Sequence, residues 1–402
     1  MKKNKIHIIE VENNEKESIK KIFKNIKEKK ITYIKNKSYK TKEILEAIDI
    51  SGPALILNSS GSSGKPRKCI HNLENLNSSA KASGVWLEQQ GFNLHNCLIF
   101  NTLPLHHISG LMPLFRSKIW SCEHIIISPK LIKKTTELLD FTNEIKKNRQ
   151  HLITSLVPTQ LKRLLSEKDG INWLKIFDLI WVGGASISME TSQRCRLEKI
   201  NLAPCYGSTE TAAMVTSLKP KEFLEGLDNI GEILCDTNLR INKKGLIQIK
   251  SERIGIELLE SSKVKNFKDK NGWWQSSDFG EIQELNNSLY LKFIGRVDNA
   301  FNSGGEIVFP EVIKSRLRDF LLNKKIPIKN FMISKIPNKE WGNKIKIILE
   351  FKKETKKTKI EYSLKLLEKF SKNWPKHERP ETWIIGKISS DNIKKSNYIF
   401  EK

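Results

Sequence analysis

The chain has 402 residues, of which 38% are hydrophobic, and its nine Trp and seventeen Phe exclude an intrinsically disordered protein. No apolar run approaches the roughly 20 residues that a membrane helix needs, so we expect no membrane span. The net charge of +25 favours anionic partners, but the lysines are spread along the whole chain and no module interleaves Arg with aromatic residues. We therefore expect an anionic small-molecule substrate and no nucleic acid.

The six cysteines are scattered and form no C-x-x-C pair. This spacing indicates reduced thiols and neither a disulfide framework nor a zinc site. The first residues contain early lysines but no sustained apolar stretch, which argues against a signal peptide. The sequence thus predicts a cytoplasmic protein and leaves its oligomeric state open.

In chain order, a helical pattern near residues 14–29 comes first, and short apolar runs then alternate with amphipathic segments. The runs with strand character are CLIF (97–100), HIIIS (124–128), HLITSLV (151–157) and FDLIWVG (177–183). Helices are predicted over 136–149 and 158–167. This alternation predicts an α/β fold whose layered sheets are mostly parallel, with the binding crevice beyond the carboxyl ends of the strands.

The character of the sequence changes after about residue 230. LRINKKGLIQIKSE (239–252) and SLYLKFIGR (288–296) alternate like antiparallel strands. Beyond Arg296 we predict a compact α+β part with a strand at KIKIILEF (344–351), helices over 311–322 and 360–371, and a solvated turn at 352–359.

The stretch LNSSGSSGKPRK (57–68) is either a flexible linker or a loop that binds phosphate. It does not match the mononucleotide pattern G-x-x-x-x-G-K-[ST], because Pro66 follows Gly64-Lys65. Two glycines would let backbone N–H groups turn inward, and the serine hydroxyls and the cations Lys65, Arg67 and Lys68 suit phosphate oxygens. The stretch alone leaves both interpretations open.

Five collinear motifs favour the phosphate-binding interpretation. SSGSSGKPRK resembles the phosphate loop of the adenylate-forming enzymes, the acyl-CoA synthetases and their relatives, which reads roughly [ST]-S-G-[ST]-T-G-x-P-K. The other four similar segments are LPLHHISG (103–110), VGGA (182–185) with YGSTET (206–211), SSDFG (276–280) with GRVDNAFNSGGEIVFPEVI (295–313), and NIKKSN (392–397). The resemblance covers about residues 51–397 and implies a large N-terminal domain of layered α/β sheets, 1–297, and a small mobile α+β domain, 298–402, with a hinge at Asp298.

The resemblance implies a two-step reaction. A carboxylate first attacks the α-phosphate of ATP to give an acyl-adenylate, and coenzyme A then displaces AMP to give a thioester. Within the family, SLVPTQLKRLL (155–165), KCIHNLENLNSSA (68–80) and LHHISGL look most like the o-succinylbenzoate–CoA ligases of menaquinone and phylloquinone biosynthesis. The implied acyl substrate is therefore a small aromatic carboxylate.

The resemblance also implies a role for each matching residue. The phosphates would be held by Ser59, Ser60, Gly61, Ser62, Ser63, Gly64, Arg67 and Lys68, with Arg67 where the family usually has Lys. Thr209 would bond the phosphates, Glu210 would carry Mg²⁺, and Tyr206 would lie against the adenine with Gly207 and Ser208 in the same motif. Space for the adenine and the acyl group would come from Gly183, Gly184 and Ala185.

The remaining implied roles concern the ribose, the acyl group and the second half-reaction. Asp278 and Arg296 would bind the ribose, and His107 rather than His106 would line the acyl pocket. Gly304 and Gly305 would border the coenzyme A passage. Lys394 would bridge the carboxylate and the α-phosphate, although the adjacent Lys395 leaves this register open.

Three alternatives stay open at this point. The chain could be another acyl- or aryl-CoA synthetase or an enzyme that loads a carrier protein, and it could be a non-catalytic nucleotide-binding relative. Asn299 stands where the family usually has a second acidic residue, and Ile393 precedes Lys394 where the family has Gly. Only 58 residues precede the loop, fewer than in the family, which leaves one edge of the acyl pocket undefined.

Overall fold

The structure is a computed structural model that describes residues 4–12, 16–38, 47–59, 67–146, 151–259, 262–285 and 287–388. The chain divides into two compact units. The large unit comprises Met1–Ser276 and Gly280–Phe293, and the small unit comprises Ser277–Phe279 and Ile294–Lys402. Among the described helices, none is long and apolar enough to cross a membrane.

The strands, numbered in chain order, are β1 (Ile6–Val11), β2 (Ile31–Asn36), β3 (Ala54–Asn58), β4 (Lys68–Asn72), β5 (Cys97–Asn101), β6 (Glu123–Ile126), β7 (His151–Leu156), β8 (Leu179–Val182), β9 (Leu202–Ser208), β10 (Ala213–Ser217), β11 (Glu232–Ile233), β12 (Asn238–Ile241), β13 (Leu246–Lys250), β14 (Ile256–Leu258), β15 (Val264–Asn266), β16 (Trp274–Leu285), β17 (Ser288–Arg296), β18 (Phe301–Ser303), β19 (Glu306–Val308), β20 (Ile328–Asn338), β21 (Gly342–Phe351) and β22 (Pro380–Ile385). The α-helices are α1 (Lys16–Lys27), α2 (Leu73–Glu88), α3 (Ile108–Trp120), α4 (Thr135–Ile145), α5 (Pro158–Leu164), α6 (Lys168–Leu174), α7 (Met189–Leu197), α8 (Pro220–Leu224), α9 (Pro310–Asn323) and α10 (Lys357–Ser371).

An eleven-stranded sheet in the order β12-β13-β16-β17-β11-β10-β9-β8-β7-β5-β6 forms the centre of the large unit. Its strands β6, β5, β7, β8 and β9 are parallel to one another. Their side chains alternate between two cores. Phe100, Ile180 and Val182 face one core, and Ile99, Leu179 and Trp181 face the other with Trp86 of α2 and Trp120 of α3.

A second sheet of the large unit has the order β1-β2-β3-β4-β14-β15. Helix α1 covers it because Ile22 and Ile26 recur at helical spacing and are buried against Leu55 and Leu57 of β3. Helix α2 begins at a reciprocal cap, in which the Asn75 N–H donates to Asn72 Oδ1 at 2.9 Å and the Asn72 N–H donates to Asn75 Oδ1 at 3.1 Å. This cap fixes the chain direction immediately after β4.

In the small unit, β20, β21 and β22 form a three-stranded sheet packed against two helices. Ile313 and Leu317 of α9 and Leu367 of α10 are buried with Ile345 and Ile347 of β21. The rings of Phe320 and Phe370 stack at 3.9 Å with an interplanar angle of 9°, which joins the two helices. A hairpin of β18 and β19 precedes this core.

The layered α/β fold with a smaller α+β part is confirmed, and most predicted elements lie within a few residues of their observed bounds. Two details were wrong. The central sheet is mixed, because β10 pairs antiparallel with β9 and the strands beyond it continue in antiparallel hairpins and pairs. The predicted turn at 352–359 is shorter, since α10 already begins at Lys357. The functional domain boundary at residue 298 and the hinge at Asp298 stay predictions.

A buried ion pair anchors the segment that leads into β14. Arg253 is fully buried, and its guanidinium pairs with Asp236 and donates to the carbonyl oxygen of Met214 in β10. Removing one partner of a buried pair leaves an uncompensated charge, which costs far more than losing a surface pair. The bond to Met214 O therefore holds residues 251–255 against β10, and the pair with Asp236 joins them to the segment before β12.

We predict that Asp236→Asn lowers the free energy of unfolding of the large unit by about 3 kcal/mol, because Arg253 stays buried without its counter-charge. The matched control is Asp228→Asn, which breaks the 2.7 Å pair with Arg196 at a 60% exposed carboxylate and should cost less than about 1 kcal/mol. Urea denaturation of both variants measures the difference. Equal losses would show that Arg253 does not depend on Asp236.

Candidate functional site

The polar loops of the large unit lie at one edge of the central sheet. Parallel strands place their carboxyl ends together, so the segments after Asn101, Leu156, Val182 and Ser208 share this edge. The segment after β5 contacts the end of β7 there, since the Thr102 hydroxyl donates to Ser155 O at 3.0 Å. The sheet topology thus brings the histidine, glycine and Thr-Glu motifs to the same side of the unit.

The ends of the glycine-serine loop are held next to each other. Strands β3 and β4 are antiparallel with Asn58 opposite Lys68, and the Ser59 N–H donates to Arg67 O at 2.7 Å. The segment between them therefore connects a hairpin and is no interdomain linker. Ser59 is buried, and its hydroxyl has no hydrogen-bond partner among the described residues. Ser60, Gly61, Ser62, Ser63 and Gly64 lie outside the described residues.

The two glycines after β8 have different surroundings. A Cβ at Gly183 would lie 3.0 Å from the Cys205 Sγ, so the backbones of β8 and β9 approach closely there. Gly184 has a φ of +81°, which a larger side chain rarely adopts. Ala185 is exposed. Gly184 and Ala185 are thus open to solvent, whereas the Cys205 side chain fills the space beside Gly183. That these three residues leave space for a ligand stays a prediction.

The segment from Thr209 to Met214 turns the chain from β9 into β10. Ala212 and Ala213 adopt φ values of +49° and +83°, which are strained for residues with a Cβ. The carbonyl oxygens of this turn accept hydrogen bonds from surrounding groups: Thr209 O from His71, Glu210 O from the Gly255 N–H, Ala212 O from the Ser79 hydroxyl, Ala213 O from the Thr211 hydroxyl, and Met214 O from Arg253. These five contacts fix a turn that its own φ values disfavour.

The carboxylate of Glu210 is 9% exposed and pairs with no cation in the described part of the chain. A buried carboxylate without a partner is costly, which suits a group that receives a cation on ligand binding. The described residues contain no cluster of three His, Cys, Asp or Glu side chains that could hold a metal. One carboxylate fits Mg²⁺ bound together with nucleotide phosphates, because Mg²⁺ keeps several waters and phosphate oxygens as ligands.

His106 and His107 lie at the start of α3, with their rings 4.3 Å apart. His107 is the N-cap residue and is exposed, whereas His106 is half-buried and lies 3.4 Å from Asn36 Nδ2 through its Nε2. Burial, and then the neighbouring His107, lower the pKa of His106 to about 4, and burial lowers the pKa of His107. Both rings therefore favour the neutral form, in which each offers one donor and one acceptor.

Sequence reasoning missed Arg116, which lies nine residues after His107 on α3. Its side chain is 4% exposed and stacks over the Trp181 ring at 4.6 Å. Its Nε has no acceptor, and no carboxylate lies within ion-pair distance among the described residues. Burial lowers the pKa of Arg116 to about 10. The only sign of Arg116 in the sequence is a single Arg within the largely apolar run LMPLFRSKIW of α3.

The residues predicted to bind ribose lie in the small unit. Arg296 pairs with Asp278 at 3.0 Å and with Asp298 at 3.5 Å. Asp278 is 7% exposed, whereas the Arg296 side chain is 42% exposed. The structure therefore brings Asp278 and Arg296 together, while Tyr206, Gly207 and Ser208 belong to β9 of the large unit.

Gly304 and Gly305 form the turn between β18 and β19, with φ values of +62° and +88°. The Gly304 N–H donates to Trp341 O at 2.9 Å, and its Cα faces the Trp341 ring so closely that no side chain would fit. Lys394 and Lys395 lie outside the described residues.

Residues 2–252, more than half of the chain, match the family described as AMP-binding enzyme. The chain belongs to this family. A curated family relative, the 2-succinylbenzoate–CoA ligase of Listeria monocytogenes, is 28% identical over 305 residues, which cover 76% of this chain and 61% of that protein. The chain thus matches about three fifths of the length of that relative.

Two solved structures share the fold of this family member. The o-succinylbenzoate CoA synthetase of Bacillus subtilis in complex with the acyl-adenylate intermediate OSB-AMP has a TM-score of 0.71 and 19% identity, covering 96% of this chain and 85% of that one. The same Bacillus enzyme in complex with ATP and magnesium ion has a TM-score of 0.63 and 21% identity, covering 94% and 75%. The adenylate-forming fold predicted from the motifs is confirmed.

We predict that Glu210→Gln lowers the rate of ATP-dependent pyrophosphate release by about 10²-fold at limiting Mg²⁺, because the amide removes the negative charge that attracts the cation. The melting temperature should not fall, since the substitution also removes a buried unpaired charge. A magnesium titration of pyrophosphate release measures the effect, with Glu225→Gln at an exposed helix end as control. A normal magnesium dependence would refute the metal assignment.

Proposed function

We propose that the chain is an ATP-dependent carboxylate–CoA ligase that converts o-succinylbenzoate to o-succinylbenzoyl-CoA. In the first step a carboxylate oxygen attacks the α-phosphorus of ATP, the bond to the β-phosphate breaks, and pyrophosphate leaves. In the second step the coenzyme A sulfur attacks the acyl carbon, the thiol proton is released, and AMP leaves. The family membership and the Listeria relative support this reaction type. ATP and coenzyme A are cytoplasmic metabolites, so the proposal includes a cytoplasmic location.

The residues of the large unit would act mainly by charge and positioning. The first step brings two anions together, so it needs cations and hydrogen-bond donors more than a base. The hairpin loop after Ser59, with Arg67 and Lys68 at its end, would hold the phosphates together with Thr209. Mg²⁺ bound at Glu210 would neutralise phosphate charge. His107 would lie beside the acyl group, and Lys394 would join the carboxylate to the α-phosphate.

The observation that favours an aromatic dicarboxylate is the unpaired buried charge of Arg116. Trp181, under its guanidinium, and Gly183 face the same side of β8, about 7 Å apart along the strand. If the acyl group binds beside Gly183 and Cys205, its far end would point towards Arg116. A buried guanidinium without a counter-ion destabilises the protein, and a bound anion would offset this cost. The ring carboxylate of o-succinylbenzoate is such an anion.

In the small unit, Asp278 and Arg296 would hold the ribose, and Gly304 and Gly305 would border the passage for coenzyme A. Rotation of residues 298–402 about Asp298 would exchange the adenylation and thioester-forming states. A second candidate is another acyl- or aryl-CoA synthetase or a carrier-loading enzyme, which the shared motifs would equally serve. A non-catalytic nucleotide-binding relative is disfavoured because both Glu210 and Lys394 are present.

The experiment that tests the substrate is pyrophosphate release with ATP, Mg²⁺ and o-succinylbenzoate, with and without coenzyme A. We expect Arg116→Met to lower kcat/KM for o-succinylbenzoate by about 10²-fold, because a buried carboxylate loses its charge partner. The analogue 4-oxo-4-phenylbutanoate, which lacks the ring carboxylate, should be used equally by the wild type and this variant. The control Arg194→Met removes an arginine that is 52% exposed and should change neither rate.

Two outcomes would contradict the substrate assignment. If the wild type prefers the monocarboxylate, the dicarboxylate is not the substrate, and the second candidate function takes its place. If Arg116→Met lowers both rates equally, Arg116 supports the fold or the chemistry in general and does not select the ring carboxylate.

The role of Lys394 predicts different effects on the two half-reactions. Lys394→Ala should slow adenylation by about 10²-fold or more, because it removes one preorganised cation, and should leave thioester formation from supplied acyl-adenylate nearly unchanged. Asp298→Pro should impair the thioester step more, since proline fixes φ near −65° and hampers rotation. Lys395→Ala should be mild. A severe Lys395→Ala variant, or equal loss of both half-reactions in Lys394→Ala, would refute this assignment.

A further inference from the structure

His71 connects the two sheets of the large unit at the Thr-Glu motif. It lies in β4, the strand that follows the glycine-serine hairpin, and its side chain is fully buried. Its Nε2 is 2.7 Å from the carbonyl oxygen of Thr209, the first residue after β9. A carbonyl oxygen can only accept, so Nε2 carries the proton and donates it. The described residues offer no partner to Nδ1.

Gly255 completes the same support. A Cβ on Gly255 would lie 2.8 Å from His71 Cε1 and 2.9 Å from the Cys69 Sγ, so its backbone rests flat against this pair. The Gly255 N–H donates to Glu210 O at 2.9 Å. The carbonyl oxygens of Thr209 and Glu210 thus both accept hydrogen bonds from the side of β4. His71 donates to the first, and Gly255, which packs on the His71 ring, donates to the second.

We propose that His71 is a positioning residue that holds Thr209 and Glu210 in the orientation needed for MgATP and couples them to the phosphate-binding hairpin. This inference rests on the proposed function, which assigns the nucleotide phosphates and Mg²⁺ to these residues. His71 touches neither ligand. It fixes the backbone from which the Thr209 hydroxyl and the Glu210 carboxylate project, as outer-shell donors do at metal sites.

The surroundings keep His71 in the form that this role needs. Burial lowers its pKa to about 4, against the effect of the bond to Thr209, so the ring is neutral at physiological pH. The Cys69 Sγ lies 3.3 Å from His71 Nε2, and burial raises the pKa of this thiol, with Glu210 and Glu257 adding to the effect. A neutral ring beside a neutral thiol adds no charge next to Glu210, whose carboxylate stays available to a cation.

The test compares three substitutions at this position in the full chain. Glutamine can place an amide N–H where His Nε2–H lies, asparagine reproduces only the Nδ1 side, and leucine donates nothing. We expect His71→Gln to bind MgATP within about threefold of the wild type. His71→Asn and His71→Leu should bind it about 10- to 100-fold more weakly, the scale for losing an outer-shell partner of a metal site. The weakening should diminish as Mg²⁺ is raised.

Calorimetric titration with MgATP alone, without acid or coenzyme A, gives both the affinity and the fraction of competent sites. If the asparagine and leucine variants show fewer sites with unchanged Kd, His71 supports the fold only and the inference is wrong. It is also wrong if glutamine and asparagine weaken binding equally. These outcomes do not depend on the acyl substrate. A wild type that does not bind MgATP would instead refute the proposed function.

Discussion

The turn between β9 and β10 is the constraint on which the rest of the large unit depends. At this point the central sheet changes from parallel to antiparallel pairing, and Ala212 and Ala213 take left-handed conformations to make the change. Non-glycine residues in this region cost of order 1–3 kcal/mol and persist only where the surroundings over-determine them. The surroundings here are donors on α2, β4 and the segment 251–255. The strained turn, its buried hydrogen-bond donors and the Thr-Glu motif therefore depend on one another. Together they hold this part of the candidate site rigid before any ligand binds.

Two buried charges in the large unit, Glu210 and Arg116, have opposite signs and no charged partner in the described part of the chain. Each lowers the stability of the protein by itself. Elsewhere the chain pairs its buried charges, as Arg253 with Asp236 shows. This difference is the basis of the proposal that Glu210 receives a cation and Arg116 receives an anion. In that proposal, the +25 charge of the whole chain would attract anionic substrates, and these two groups would help to decide where they bind.

The sequence predicted β5, β6, β7 and β8 because each is a short apolar run between amphipathic segments. Loop motifs at strand ends could be placed for the same reason, since topology alone collects them at one edge. Arg116 could not be found in this way. It stands out only because it is buried without a counter-ion, and only tertiary packing reveals this. His71 was equally invisible. A single histidine in a strand becomes informative only when Thr209, 138 residues away, proves to be its acceptor. The strands β11 of the central sheet and β14 and β15 of the second sheet were not predicted, because they are only two or three residues long.

The division of the chain into two units assigns the proposed nucleotide contacts to both. The proposed phosphate, metal and acyl residues belong to the large unit, whereas Asp278 belongs with Arg296 to the small one. Arg296 also pairs with Asp298, the proposed hinge. If the chain rotates at Asp298, the Arg296 guanidinium would move closer to one of its two partner carboxylates, Asp278 or Asp298, and farther from the other. In the proposed function, the Asp278 carboxylate would then face the ribose with a more closely or less closely paired Arg296 in each state. This three-residue cluster is short enough for a backbone rotation at residue 298 to be felt at residue 278 without any change in the large unit.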